Sequence, residues 1–87
     1  MSEGQPVDVR ADEYDEASGC EPMLLFWYVE PGEAVAEGQE LCEIESAKAV
    51  VAICAPVAGT VSEILVRETE PVASGQVLAR LQPRRDD

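Results

Sequence analysis

Lys48 is the residue in this chain whose type and setting offer chemistry. It is the only lysine, since the other five of the six basic residues are arginines. A deprotonated primary amine is a nucleophile that can be acylated to a stable amide, whereas a guanidinium stays protonated and cannot stand in for it. Alanines on both sides, Ala47 and Ala49, leave the amine clear of bulky or charged neighbours. A surface with one lysine also offers a modifying enzyme one side-chain amine to find. A lysine in a turn is ordinarily just a solvated residue, so the reading rests on its uniqueness and on where it falls in the pattern of the chain.

The other reactive side chains form no comparable setting. The three cysteines, Cys20, Cys42 and Cys54, are odd in number and lack a C-x-x-C spacing, which argues against a disulfide framework. Cys42 reads as a small core residue, and Cys54 as one that could face solvent. With no histidine, a zinc or transition-metal site has few ligands to draw on, and the commonest general base is missing. No Gly-x-Ser-x-Gly or phosphate-binding loop occurs, so the chain reads as a non-enzyme. Eighteen acidic residues against six basic ones give a net charge of −12, which repels phosphate backbones and anionic membranes and favours basic patches on proteins. The longest apolar run, Met23 to Val29, is far too short to span a bilayer. Residues Met1 to Val9 lack the basic start and apolar stretch of a secretory signal, so a cytoplasmic location is expected.

The elements that must position Lys48 show up as a repeat. Trp27–Ile44 aligns without gaps with Ile64–Leu81 at an offset of 37, and seven of the eighteen pairs are identical: Val29/Val66, Glu33/Glu70, Val35/Val72, Ala36/Ala73, Gly38/Gly75, Gln39/Gln76 and Leu41/Leu78. Two copies are too few for a solenoid, so each is read as half of one core with pseudo-twofold symmetry. Alternating apolar residues, Trp27 with Val29 and Ile64 with Val66, mark short strands. Pro31-Gly32 and Ser74-Gly75 supply turn chemistry. No segment sustains helical periodicity, which makes the class all-β. Gly32, Gly38, Gly59 and Gly75 are expected at positive φ. Trp27 is expected to anchor a sheet face. At eighty-seven residues the chain is one domain, with residues 1–6 a flexible leader, 7–82 the folded unit and 83–87 a flexible tail. Pro6–Val9 is the candidate first strand, and residues 10–22 form an acidic connection.

Between the two copies lies the hairpin. With Ala47-Lys48 as a two-residue turn, the cross-strand partners become Glu45/Val50, Ile44/Val51, Glu43/Ala52 and Cys42/Ile53. This register sends Ile44, Val51, Cys42 and Ile53 into the core and leaves Lys48 at the farthest point from it. A slip of one residue would turn that set outward, so the register is well determined.

Taken together, these segments resemble the biotinyl/lipoyl attachment family. The likeness runs from about Leu24 to Leu81, through Trp27-Tyr28-Val29-Glu30-Pro31-Gly32-Glu33-Ala34-Val35, Gly38-Gln39-Glu40-Leu41, Ile44-Glu45-Ser46-Ala47-Lys48-Ala49, Ala55-Pro56-Val57-Ala58-Gly59-Thr60-Val61 and Gly75-Gln76-Val77-Leu78. The resemblance implies a flattened barrel of two small antiparallel sheets, a barrel-sandwich hybrid, with the modified lysine on an exposed hairpin. The biotinyl branch usually brackets its lysine with methionines, where this chain has alanines. Gly32, sixteen residues before Lys48, Glu45, three before it, and Gly59, eleven after it, match positions that the lipoyl branch uses for recognition by lipoylating enzymes. Ser46, Ala47 and Ala49 complete the recognition set, although lipoyl domains commonly carry an aspartate where this chain has Ala47.

The implied role is that of a carrier. Lipoate joined to Lys48 as an amide would shuttle acyl groups and reducing equivalents between the active sites of a 2-oxo acid dehydrogenase complex. The implied partners are a lipoate ligase or lipoyl transferase, and the dehydrogenase, acyltransferase and dihydrolipoyl dehydrogenase components, with the isolated chain a monomer. The acidic residues Asp12, Glu13, Asp15 and Glu16 fall in the loop that relatives use for partner recognition, and a solvated loop would account for them equally well. The other readings are a biotin carboxyl carrier, a glycine-cleavage carrier, and an unmodified assembly domain of the same fold.

Overall fold

A computed structural model describes residues 5–12, 21–46 and 49–83. Among these residues seven strands follow in chain order: β1 (Val7–Arg10), β2 (Met23–Trp27), β3 (Ala34–Val35), β4 (Glu40–Glu45), β5 (Val50–Cys54), β6 (Gly59–Ile64) and β7 (Val77–Pro83). There is no helix among the described residues, as the absence of a 3.6-residue period foretold. The strands form two antiparallel sheets, one ordered β1-β7-β6-β3 and the other β2-β4-β5. Their inward side chains meet in one flattened core that includes Leu24, Leu41, Ile44, Leu78 and Leu81, all fully buried. Among the described residues no polar or charged side chain is buried, so the core is held by apolar burial alone.

The repeat is a structural symmetry, and it reaches beyond the segment that the sequence alignment covers. Strand β2 pairs with β4 through Met23↔Glu45, Leu24↔Ile44, Phe26↔Glu43 and Trp27↔Cys42. Strand β6 pairs with β7 through Thr60↔Gln82, Val61↔Leu81, Glu63↔Arg80 and Ile64↔Ala79, the same four pairs moved by the repeat offset. Even the irregularities coincide, with bulges at Leu24/Phe26 and at Val61/Glu63. A bulge turns one residue out of the alternation and adds twist, which lets a short sheet wrap its core. Strand β1 plays against β7 the part that β5 plays against β4: Val9↔Ala79 answers Ile53↔Cys42, and Arg10↔Val77 answers Cys54↔Glu40.

Four β-turns close the two halves in a common way, and this explains why Glu33/Glu70 and Gln39/Gln76 repeat. In each, the fourth residue donates its amide to the carbonyl of the first: Glu33 to Glu30, Gln39 to Ala36, Glu70 to Arg67 and Gln76 to Ala73, all at 3.1 Å. The side chain of that fourth residue then accepts the amide of the first, at 3.1 Å (Glu33), 3.0 Å (Gln39), 2.8 Å (Glu70) and 2.8 Å (Gln76). The third residue of each turn has positive φ, as a type II turn requires: Gly32 (92°), Gly38 (85°), Thr69 (70°) and Gly75 (71°). Thr69 stands where the first half has Gly32, and a β-branched residue there is strained.

Several expectations need correcting. Gly59 does not have positive φ; it lies within β6, and a Cβ added there would sit 2.2 Å from the Gln82 carbonyl oxygen, so glycine is required by close backbone approach. Pro83 belongs to β7 rather than to a tail, because it pairs with Gly59 across that close approach. The first strand is Val7–Arg10, one residue later than expected. Val51, expected in the core, packs against it but is only half-buried; Trp27 packs against the core as expected of a sheet anchor, and its indole nitrogen donates to the Val66 carbonyl at 2.8 Å.

Candidate functional site

The β4–β5 hairpin is built as its sequence requires. Glu45↔Val50, Ile44↔Val51, Glu43↔Ala52 and Cys42↔Ile53 are the observed partners. Cys42, Ile44 and Ile53 are buried, so a one-residue slip would exchange them for the glutamates and is heavily penalised. Beyond Glu45 and Val50, the Ser46 amide donates to the Ala49 carbonyl at 2.9 Å, and the Ser46 hydroxyl donates to the same oxygen at 3.1 Å. Two residues, Ala47 and Lys48, connect these bonded positions, and both lie outside the described residues. Glu45 and Ala49 are exposed and Ser46 is half-buried, which leaves the flanks of the connection accessible.

Gly32 and Gly59 belong to the margin of the other sheet. The Gly32 amide donates to the Val61 carbonyl at 2.7 Å, and Gly59 pairs with Val35 of β3 as well as with Pro83. Both glycines therefore have backbone reasons, one of dihedral angle and one of space. Of the acidic loop, Asp12 is exposed and its carbonyl accepts the Gly75 amide at 3.3 Å. Glu13, Asp15 and Glu16 lie outside the described residues, as does Cys20. Among the described residues, no cluster of three or more acidic, cysteine or histidine side chains could hold a metal ion.

The thiols differ as their strand positions dictate. Cys42 points inward, and burial pushes its thiol up to about 12. Cys54 lies on the exposed side of β5. On the same outer face, the Tyr28 hydroxyl donates to the Glu43 carboxylate, and that hydrogen bond is the main reason the phenol is raised to about 12. The Phe26 and Tyr28 rings meet edge to face, with centroids 5.1 Å apart and planes at 86°. This exposed pair was hidden in the sequence by the apolar run Met23 to Val29. The signal for it was the alternation that turns Trp27 and Val29 inward and so must turn Phe26 and Tyr28 out.

Comparison with known proteins agrees with this architecture. Residues 16–81 match the family model described as biotin-requiring enzyme, Biotin_lipoyl. The chain is 37% identical over 75 residues to the dihydrolipoyllysine-residue succinyltransferase component of the 2-oxoglutarate dehydrogenase complex from Cupriavidus necator, covering 86% of this chain and 18% of that protein. It is 34% identical over 61 residues to the dihydrolipoyllysine-residue acetyltransferase component of the pyruvate dehydrogenase complex from Staphylococcus aureus, covering 70% of this chain and 14% of that protein. The chain thus spans less than a fifth of these relatives. Among solved structures, the lipoyl domain of the 2-oxoglutarate dehydrogenase complex from Azotobacter vinelandii superposes with a TM-score of 0.72 at 31% identity, covering 86% of this chain and 94% of that one. A single-chain, multi-domain long-chain acyl-CoA carboxylase shares the fold, with a TM-score of 0.75 at 19% identity over 91% of this chain and 7% of that one. The hairpin register, the paired halves and these likenesses converge: the chain belongs to the biotin/lipoyl attachment family, and within it is similar to lipoyl domains.

Proposed function

We propose that this protein is a non-catalytic lipoyl carrier, whose Lys48 amine is acylated by lipoate to form an amide. One observation carries the reading: the sole lysine falls in a two-residue connection between Ser46 and Ala49, which the backbone bonds to each other at 2.9 Å. Such a connection keeps a side chain away from the core that its flanking strands build. The chain fits the group through this hairpin, and a dithiolane arm there would supply reductive acyl acceptance and transfer between the active sites of a 2-oxo acid dehydrogenase-type complex.

The protein's own part is presentation. Buried Ile44 and Ile53 anchor the two strands that lead into the connection, so the arm would be carried on a packed hairpin. Tethering raises the effective concentration of a carried group at partner sites, to the order of millimolar for short flexible linkages. Acylation removes the single ammonium, leaving arginine as the only basic side chain, so the surface becomes still more acidic. Glu45, Ser46, Ala47 and Ala49 are the residues beside Lys48 that a lipoate ligase or lipoyl transferase would read. Gly32 and Gly59 would contribute by shaping the sheet margin. Asp12, with Glu13, Asp15 and Glu16, is the segment assigned to contact with the dehydrogenase, acyltransferase or dihydrolipoyl dehydrogenase components, in the cytoplasm and with the carrier a monomer.

The test is intact mass of protein from cells with active lipoylation, beside a Lys48→Arg variant. A lipoyl adduct on the wild type that is absent from the variant is the expected result. An unmodified wild type would remove the carrier function, and a biotinyl adduct would assign the chain to carboxyl transfer instead.

A further inference from the structure

We propose that the outer face of the β2-β4-β5 sheet is the docking surface for the enzyme that acylates Lys48, and that this enzyme meets it with arginine or lysine set among apolar side chains. The proposal rests on the carrier reading above. The face carries Phe26, Tyr28, Val50 and Ala52 together with Glu43 and Glu45. Phe26 is 39% exposed, Tyr28 46% and Val50 49%, an unusual exposure for large apolar side chains gathered on one small sheet.

The molecule contains its own control. Through the pseudo-twofold, the matching outer positions of the β1-β7-β6-β3 sheet are Glu63 for Phe26, Leu65 for Tyr28, Asp8 for Ala52, and Arg80 for Glu43. On that face Arg80 pairs with Glu63 at 2.9 Å and with Asp8 at 3.2 Å, and Arg10 pairs with Asp8 at 3.2 Å. These are all the ion pairs of the described residues, and Leu65 is the one large exposed apolar residue there. The same backbone positions, bulges included, are therefore satisfied by a polar, charge-balanced face. The fold does not require the aromatic and apolar residues on the other side, so another molecule is what they await.

The occupant follows from charge and continuity. Glu43 and Glu45 face outward with no cation paired to them among the described residues, and aromatic rings favour a cation over their faces. A second copy would set these glutamates against their own kind across an isologous contact, in a chain of net charge −12. Val50 is two residues from Lys48 on the strand that leaves the hairpin, and Glu45 pairs with it. An enzyme that holds the Lys48 amine at its active centre thus lies against this face first.

Steady-state lipoylation by a purified lipoate–protein ligase, with ATP and lipoate, tests this on the full chain. Phe26→Ser combined with Tyr28→Ser is expected to raise KM about tenfold with kcat unchanged, the loss of a modest interface hot spot. Ala52→Arg, at an exposed position that leaves the core alone, is expected to raise KM similarly by repelling a basic surface. Leu65→Ser on the other face is the control and stays near wild type. An unchanged KM in both face variants, an equal loss in Leu65→Ser, or a fall in kcat alone overturns the docking face while Lys48 remains the substrate. A wild type that sediments as a dimer, and a Phe26→Ser/Tyr28→Ser variant that does not, assigns the face to a second copy and also overturns it. A folded wild type that gains no mass at Lys48 defeats the carrier reading itself, and the docking proposal with it.

Discussion

Replacing Gly59 with alanine separates a structural requirement from enzymatic recognition, because Gly59 matches a position that the lipoyl branch uses for recognition. A Cβ at residue 59 would lie 2.2 Å from the Gln82 carbonyl oxygen, 2.9 Å from its carbonyl carbon and 3.0 Å from the Pro83 Cα, all of them backbone atoms that cannot rotate away. Restoring ordinary contact needs about 1 Å of separation between β6 and the end of β7, beyond what a packed sheet absorbs freely. Overpacking costs about 1–3 kcal/mol and each lost ladder bond about 1 kcal/mol. We therefore expect Gly59→Ala to lose about 2–4 kcal/mol, read as a fall of about 10–25 °C in Tm for a domain this size. Gly32→Ala meets nothing within 4 Å and pays only for its φ of 92°, so its loss is about 1 kcal/mol. Urea unfolding followed by circular dichroism measures both, with lipoylation assayed below the unfolding range. If Gly59→Ala keeps wild-type stability and yet resists lipoylation, the steric reasoning is wrong and the residue is read directly by the enzyme.

Two further perturbations probe the symmetry and the core. Thr69 holds φ of 70° where its counterpart is Gly32, so Thr69→Gly should raise stability by about 0.5–1 kcal/mol, strain relief exceeding the added flexibility of the unfolded chain; a destabilised variant in urea unfolding would refute this. In a Cys20→Ser background at pH 8, iodoacetamide should alkylate exposed Cys54 and spare buried Cys42, and labelling of Cys42 at the Cys54 rate would contradict its burial. Because the Cys42 thiol is raised from 9.0 to about 12 on folding, its contribution is fully present below pH 9 and is lost as the pH rises toward 12. Cys42→Ala should flatten that alkaline decline, and an identical decline in the variant would sink the assignment.

The hairpin that leads into the candidate site was legible because strand periodicity and turn chemistry are local. The hairpin register followed from Ile44, Val51, Cys42 and Ile53 alone, and all four pairs hold. The repeat was visible because identical turns impose identical residues, as the side-chain caps of Glu33, Gln39, Glu70 and Gln76 make plain. Gly59 was misjudged because its demand is non-local: sequence shows a glycine, while the Gln82 backbone that crowds it is more than twenty residues away. The kinship of β1 with β5 was likewise hidden, since of their four matched positions only Val7 and Val51 are identical, and the pairing of each strand with β7 or β4 is what reveals it. The outward facing of Phe26 and Tyr28 was implicit in the alternation of Trp27 with Val29, although the continuous apolar run Met23 to Val29 masks that alternation.

The pseudo-twofold also accounts for why a hairpin amine occurs once. Strand β7 corresponds to β4 and β1 to β5, so the position matching Ser46 is Pro83 and the position matching Val50 is Pro6. In one half the two strands β4 and β5 are consecutive and joined through Ala47-Lys48; in the other the equivalent strands, β7 and β1, are the last and first of the described strands. A symmetric scaffold thus offers two equivalent places, and only at one of them are the paired strands consecutive in the chain and closed by a short connection. Outer-face chemistry divides in the same direction, with aromatic and apolar side chains on the hairpin's sheet and balanced ion pairs on the sheet with the chain ends. Buried positions repeat through the pseudo-twofold while the outer faces do not, so what distinguishes the two sheets lies outside the contacts that hold the core together.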